Sequence, residues 1–334
     1  MTRSRLLVIA SMVVVVLGAL AGLGALWLNP LRAAVGPLPG EALVLPADAR
    51  WVLGLDVQRF AASPFYARFA AQPGMKPGSL AELEEKTGLN PARDIDRIVI
   101  AGSGAGKDSP TLALVTGRFD LYKLGRALET EGKARGRNHE GVTVYAFKEE
   151  GPRATAVAFL DAGSLLFGSR DRVEAAVSSR TRGETPLRGN ATLLRLIEKV
   201  RPGSTFWMVG DQSLLAGLPA TVPAPGGGEG AALTLPALRS LTVTGDLDPQ
   251  LSLAITGEAA DDAAARNLAD VVRGFVALAS LQAQQKPELL QLASAISVAT
   301  EANRVLVTAQ VPYALIDALQ AGQAKRAPKP AAVR

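Results

Sequence analysis

The chain has 334 residues, of which 48% are hydrophobic and 20% charged, a composition typical of a globular protein with a sizeable core. It contains no cysteine, which excludes disulfides, thiolate metal sites and cysteine nucleophiles. The net charge is +5, but seven of the 36 basic residues lie in the two ends, and the rest of the chain has 29 basic against 31 acidic residues. Because nucleic-acid binders concentrate positive charge on their fold, we predict no nucleic-acid partner.

The N-terminal residues 1–32 are predicted to anchor the chain in the inner (cytoplasmic) membrane. Leu6–Leu28 is a run of 23 residues without a charged side chain, and as a helix it would reach roughly 34 Å, enough for a hydrocarbon core of about 30 Å. Two arginines precede this run and one follows it, which predicts a single pass with a cytoplasmic N-terminus and a periplasmic C-terminal domain. A cleaved signal peptide, with Ala19–Ala21 as its cleavage site, is the alternative.

The rest of the chain divides into a linker, two similar halves and a tail. Residues 33–46 contain three prolines and two glycines and are predicted to form a linker. The first α+β half is placed at residues 47–200 and the second at residues 201–321, with a flexible insertion at about 219–236 where proline and glycine dominate. The basic tail, residues 322–334, is predicted to be disordered.

Strand and helix patterns recur in the same order in both halves. Residues 50–57 and 204–211 are β-like runs that end at or beside an aspartate, and they contain Trp51 and Trp207, which are 156 residues apart. Further strands are predicted at 95–101, 111–117, 142–147, 154–159, 165–168, 238–245, 250–257, 296–300 and 304–310. Helices are predicted at 120–131, 171–178, 261–281 and 313–319.

Tight connections between strands predict antiparallel pairing. The predicted fold class is therefore α+β: two tandem similar halves of antiparallel sheet, with helices segregated on one face, after an N-terminal transmembrane helix. Several helix ends carry local signals. Ser63-Pro64 is typical of a helix start, Asp171 and Glu174 fit a capping box, and Gly88 is a helix stop. Asp261-Asp262 is placed at a helix N-terminus, where negative charge is favourable.

The segment from Ala101 to Asp108 is the nearest approach to a nucleotide-binding motif. A phosphate-binding loop needs a glycine where Ala101 stands and a serine or threonine where Asp108 stands, and it must lead into a helix. The residues that follow are β-like. We therefore predict a hairpin loop here, with no nucleotide cofactor.

The remaining candidates for chemistry are weak. His139 is the only histidine and lies in a polar segment, residues 135–141, which is predicted to be a surface loop without partners for zinc. Asp94 with Asp96, and Asp246 with Asp248, are carboxylate pairs that can serve acid–base chemistry but are interpreted as turn residues. The sequence therefore predicts no catalytic, cofactor-binding or metal-binding residue.

Part of the chain resembles a family of bacterial membrane-anchored proteins that carry an exported α+β domain of unknown function. The resemblance covers roughly residues 43–215 and rests on Leu45–Val57, Thr87–Pro91, Asp94–Ile100, Gly117–Asp120, Gly141–Tyr145 and Phe167–Arg170. It implies a short N-terminal anchor and an exported domain. It implies no site residues.

These observations predict a non-enzymatic single-pass envelope protein whose exported domain acts as a binding or assembly module. The expected partners are the membrane, through the N-terminal helix, and an envelope protein or a lipid. The alternative is a carrier or sensor that holds a lipid or another small apolar ligand against a sheet face without helices. A hydrolase is the least favoured hypothesis, because no convergent set of histidine, aspartate and glutamate supports it.

Overall fold

The computed structural model describes residues 38, 40–70, 79–104, 109–130, 134–147, 154–215, 221–223, 232–234, 237–282 and 287–324. The predicted anchor, residues 1–32, lies outside this part of the chain, and so does the tail from residue 325. Among the described residues, no helix combines the length and the apolarity needed to cross a membrane.

The strands match the predicted ones closely, with three additions: β4, in the segment predicted to be a polar loop, and β9 and β10, in the predicted flexible insertion. The described strands are β1 (Trp51–Asp56), β2 (Ile95–Gly102), β3 (Thr111–Gly117), β4 (Arg135–His139), β5 (Val142–Ala146), β6 (Thr155–Asp161), β7 (Ser164–Ser169), β8 (Phe206–Asp211), β9 (Thr221–Pro223), β10 (Ala232–Thr234), β11 (Leu238–Asp246), β12 (Leu251–Ala259), β13 (Ile296–Glu301) and β14 (Arg304–Val311). The strand β4 forms a hairpin with β5. The two loop residues of this hairpin, Glu140 and Gly141, both have positive φ, as a type I′ turn requires.

The four predicted helices are present, together with shorter ones. The described helices are α1 (Val57–Ala62), α2 (Pro64–Ala70), α3 (Ser79–Thr87), α4 (Pro91–Asp94), α5 (Leu121–Thr130), α6 (Arg170–Thr181), α7 (Ala191–Glu198), α8 (Gln212–Leu215), α9 (Asp262–Gln282), α10 (Pro287–Ser294) and α11 (Tyr313–Ala324). Two 3₁₀ helices lie at Gly40–Val44 and Pro186–Gly189.

The helix-end signals are confirmed with one exception. The Ser63 hydroxyl accepts the Tyr66 N–H at the start of α2, Gly88 ends α3 with φ +70°, and Asp261 accepts the Ala264 N–H at the start of α9. The predicted capping box at Asp171 is wrong, because α6 begins one residue earlier and its N-cap, Ser169, makes no capping bond.

Twelve strands form one continuous antiparallel sheet in the order β13-β14-β12-β11-β8-β1-β2-β3-β7-β6-β5-β4. The first half supplies β1 to β7 and the second half supplies β8 and β11 to β14. The halves meet where β1 pairs with β8, over five residue pairs. Outward from this seam, the strands of the first half follow in the order β1, β2, β3, β7, β6, and those of the second half in the order β8, β11, β12, β14, β13. In both halves the first three strands of the sheet are followed by the last strand of that half and then by the strand before it.

The two faces of the sheet follow from the alternation of side chains along each strand. We call the face with Leu53 and Met208 the front face and the face with Val52 and Val209 the back face. Trp51 pairs with Gly210 and lies on the front face, whereas Trp207 pairs with Gly54 and lies on the back face. The two tryptophans are therefore not structural counterparts, since corresponding residues of the two halves would share a face.

The expected segregation of helices on one face is wrong for the first half. On its back face Ala156, Ala158 and Leu166 are fully buried, and α6 packs against their strands β6 and β7. On its front face α5 packs against β5, where Gly125 lies directly against the hydroxyl of Tyr145. Helices therefore cover both faces of this half.

Three predicted flexible segments contain ordered structure. In the predicted linker, residues 33–46, the 3₁₀ helix buries Ala42 and Val44, and Leu45 is fully buried after it. The predicted insertion at about 219–236 contains β9 and β10, which pair with each other as a separate two-stranded sheet. The last helix continues to Ala324, so it includes the first three residues of the predicted tail.

Candidate binding face

The front face carries a row of uncharged residues that runs without interruption across all twelve strands. This central row is Gly136, Tyr145, Val157, Phe167, Ala113, Ile100, Leu53, Met208, Val243, Ile255, Val307 and Val298. The cross-strand pair Leu53–Met208 lies at the seam, with matching strands on either side of it. The register of β1 against β8 therefore places the apolar residues of both halves on the same face, where they form one surface.

A second row on the same face is also apolar and lies beside the first. It consists of Phe159, Leu165, Val115, Ile98, Leu55, Phe206, Gly245, Leu253, Ala309 and Ile296. Neither row contains a hydroxyl other than that of Tyr145, an amide side chain or a charge. Such a face has to be covered by other elements of the chain or by something that it binds.

Helices cover the two ends of the central row. At one end Leu128 of α5 packs with Val157 and with Tyr145. At the other end Ala265 and Ala269 of α9 form a cluster with the strand residues Val298 and Val307. The strands between these ends, from β7 to β12, are separated by six spacings of about 4.8 Å, a span of roughly 29 Å.

Two short helices bound the same region along the strand direction. The helix α1 follows β1 directly, and α8 follows β8, so the two lie at opposite ends of these antiparallel strands. Leu214 of α8 occupies the space in which a side chain at Gly210 would stand. The front face between these four helices is called the central patch.

The central patch is covered in part, since Ile98, Val115 and Phe206 within it are at most 3% exposed. Eight apolar side chains in the patch are half-buried: Trp51, Leu53, Leu165, Phe167, Met208, Leu241, Leu253 and Ile255. On the back face of the same strands, Val52, Leu114 and Val209 are all 0% exposed. The eight half-buried side chains therefore leave part of the central patch accessible.

The loop that resembles a nucleotide-binding motif is a hairpin loop, as predicted. Strands β2 and β3 pair through Gly102 and Thr111 on either side of it. In its described part, the Gly104 carbonyl accepts the indole N–H of Trp51 at 2.9 Å. The Ser103 hydroxyl lies 3.2 Å from Asp48 and 3.0 Å from Arg172. The loop therefore fastens the edge of the central patch.

The ion pair between Asp48 and Arg172 fixes this end of the sheet. Both guanidinium NH groups of Arg172 donate to Asp48 at 2.6 Å. The bonds from Arg172 hold the pKa of Asp48 below its usual range. They also raise the pKa of Arg172. The contact joins the segment before β1 to the start of α6.

His139 is not a free surface residue, because it contacts a buried serine. The Ser178 hydroxyl donates to Glu140 Oε1 at 2.7 Å and lies 2.9 Å from His139 Nε2. Since the single hydroxyl proton goes to Glu140, the histidine Nε2 must carry a proton and donate to Ser178. A serine hydrolase needs the opposite arrangement, in which histidine accepts the serine proton and the carboxylate binds the histidine. The cluster therefore fastens the β4–β5 hairpin to α6.

The carboxylate pairs are placed as structural residues. Asp94 accepts the Asn90 N–H at 2.8 Å and binds Arg93 at the end of α4, while Asp96 is exposed. Asp246 accepts the Thr205 N–H at 3.1 Å and pairs with Arg201. In the part of the chain that the structure describes, no group of three or more histidine, aspartate or glutamate side chains is arranged to hold a metal ion.

Comparison with known proteins returns structures only. No family model matches the chain, and no curated protein matches it. Crystal form III of TP0453 is similar over 87% of this chain and 100% of that chain, with 11% identity and a TM-score of 0.47. Crystal form I of TP0453 is similar over 86% of this chain and 98% of that chain, with 10% identity and a TM-score of 0.45. Crystal form IV is similar over 85% of this chain and 97% of that chain, with 10% identity and a TM-score of 0.46.

Proposed function

We propose that this chain is a non-enzymatic, single-pass envelope protein whose exported domain binds a slender apolar molecule, such as a lipid, on the central patch. The observation that carries the proposal is the uncharged central row, which stays half-buried between helices at Leu53, Met208 and Ile255. Burial of such apolar surface by a ligand is favourable in proportion to its area. A slender molecule fits better than a flat protein surface, because helices stand at the ends of the row.

The proposal includes an internal duplication. It is supported by the order in which each half adds its strands outward from the seam. It is also supported by the match of Ile100 with Val243 and of Phe167 with Val307 at equal distances from the Leu53–Met208 pair. A duplicated unit places equivalent apolar positions on both sides of the seam.

Tryptophan fluorescence tests the site, because Trp51 lies at the patch and Trp207 lies buried on the other face. A fatty acid brominated along its chain is added to the full chain, with Trp27→Phe, held in an amphipathic polymer. We expect strong quenching, and much less quenching when Trp51→Phe is added so that only Trp207 remains. Equal quenching of the two proteins, or none, would contradict binding at the patch.

Two neighbouring residues of β12 provide a matched pair of variants. Ile255 faces the central patch and Thr256 faces the back, and both are half-buried. Ile255→Lys should abolish quenching, because a buried ammonium opposes an apolar ligand. Thr256→Lys should leave it unchanged. Thermal melting of both variants checks that each is folded.

The proposed topology is tested separately. Alkaline phosphatase fused to the C-terminus should be active in intact cells, and a green fluorescent protein in the same place should be dark. Activity of the reporter only in the cytosol would overturn the exported placement and leave the apolar site to be judged on the quenching experiment.

Assembly with another envelope protein is the second candidate function. Two exposed leucines favour it, Leu281 on α9 with 62% of its surface accessible and Leu290 on α10 with 38%. Crosslinking in intact membranes, followed by identification of partners lost in a Leu281→Asp, Leu290→Asp variant, tests this function.

A further inference from the structure

We propose that the edge strand β4 is a docking site for an extended acidic segment of another protein, which would add to the sheet as a further strand. This inference is independent of the ligand at the central patch. Arg135–His139 forms one edge of the twelve-stranded sheet, and its first four residues are exposed. An edge strand presents unpaired N–H and C=O groups along one side, and such groups pair with an incoming strand.

The two edges of the sheet differ in how they are protected. At the opposite edge, the Arg273 guanidinium donates to the Val298 carbonyl of β13, and α9 packs alongside that strand. On the outer side of β4, no described residue donates to or accepts from the backbone. Among the described residues, β4 is therefore the edge whose outer side makes no backbone hydrogen bond.

The charge on β4 selects the chemistry of the partner. Arg135 and Arg137 are two residues apart, so their side chains project from the same face. Both are exposed, and neither forms an ion pair with a described residue. A strand with carboxylates at alternate positions would place one opposite each arginine. Opposite charges directly across a strand pair stabilise it, and like charges destabilise it.

The same charge argues against self-association. Two copies of β4 side by side would bring four arginines together, which guards the edge against pairing with itself. The edge is also held in place before any partner arrives, because Ser178 of α6 contacts both His139 and Glu140 at the hairpin end. A rigid edge loses little conformational freedom on binding.

Fluorescence polarisation with the full chain tests the inference. The probe is a labelled peptide that alternates glutamate with valine, and its partner probe alternates lysine with valine. We expect the acidic peptide to bind and to slow the hydrogen exchange of the β4 amides. The double variant Arg135→Glu, Arg137→Glu should weaken the acidic peptide at least about tenfold and bind the lysine peptide instead. The matched control is Arg266→Glu on α9, also exposed, which should behave as wild type.

Three results would overturn the inference. They are undiminished binding of the acidic peptide by the double variant, binding without protection of the β4 amides, and binding of anionic vesicles through these arginines with no binding of the acidic peptide. The exchange of charge preference cannot arise from unfolding, since an unfolded edge would bind neither peptide.

Discussion

The indole of Trp207 lies directly against the backbone of Gly54, its cross-strand neighbour at the seam between the halves. Trp207 is only 1% exposed, so the ring cannot move away. A Cβ atom at position 54 would overlap the ring. Glycine is therefore required here by the close approach of the ring to the backbone.

Gly54→Ala should lower the free energy of unfolding by about 1–3 kcal/mol, the usual cost of overpacking a rigid core. The control is Gly274→Ala in α9, an exposed helical glycine with no atom near the added methyl group. That variant should gain about 0.5–1 kcal/mol from the better helix propensity of alanine. Urea denaturation of both proteins measures the two changes, and equal stability of Gly54→Ala and wild type would contradict the packing argument.

Asp94 gives stability that depends on pH. The Arg93 guanidinium, with the Asn90 N–H, holds the pKa of Asp94 below its usual range. Its stabilisation is therefore present above the unfolded pKa of about 3.9 and is lost as the pH falls through the lower folded pKa.

Asp94→Asn should cost about 1–2 kcal/mol at neutral pH, because the charged hydrogen bonds are lost. The difference in the free energy of unfolding between Asp94→Asn and wild type should become smaller as the pH falls below about 4. Asp96→Asn, at an exposed carboxylate two residues further on in β2, is the control and should show little change. Chemical denaturation at a series of pH values measures both, and a pH-independent cost for Asp94→Asn would refute the linkage.

Arg68 connects α2 of the first half to α11 of the second. Its guanidinium binds Asp317 at 3.0 Å and stacks over the Tyr313 ring at 4.6 Å. A double-mutant cycle with Arg68→Gln and Asp317→Asn should give a small favourable coupling energy, as exposed ion pairs of good geometry do. The same cycle between Arg68 and Asp270, which pairs with Arg273 instead, should give none. A coupling near zero for the first pair would show that the contact does not stabilise the docking of α11.

Ser178 should be unreactive, because its proton is held by Glu140 and His139 cannot accept it. Incubation of the full chain with a fluorophosphonate should give no adduct at this serine by mass spectrometry. An adduct that disappears in a His139→Ala variant would revive the hydrolase hypothesis. Ser178→Ala should instead cost about 0.5–1.5 kcal/mol in stability, because the hydroxyl that joins His139 and Glu140 to α6 is lost.

Local patterns in the sequence located most strands and helices. Tight hairpins such as β6–β7 are formed by residues that are close in the chain, so the positions of their strands could be predicted from local sequence. The strand β4 was missed because its residues are polar, although the two-residue turn at Glu140 and Gly141 was an available signal. Helices on both faces of the first half could also have been expected from β6, whose run from Ala156 to Leu160 is continuously apolar.

The central patch could not be predicted in the same way. It depends on the register that pairs Leu53 with Met208, residues far apart in the chain, and no local pattern specifies which strands of the two halves meet. The alignment of Trp51 with Trp207 illustrates the difficulty. Matching the two halves by sequence alone aligns these tryptophans, although their side chains lie on opposite faces of the sheet. A shift of one residue along a strand moves a side chain to the opposite face, so such an alignment is wrong by an odd number of residues.

The ladder between β1 and β8 has a mechanical consequence. Because five consecutive residue pairs join the two halves there, the halves cannot rotate against each other without breaking the middle of the sheet. The sheet is therefore rigid. Any movement that accommodates an incoming molecule has to come from the short helices α1 and α8, which follow directly on β1 and β8.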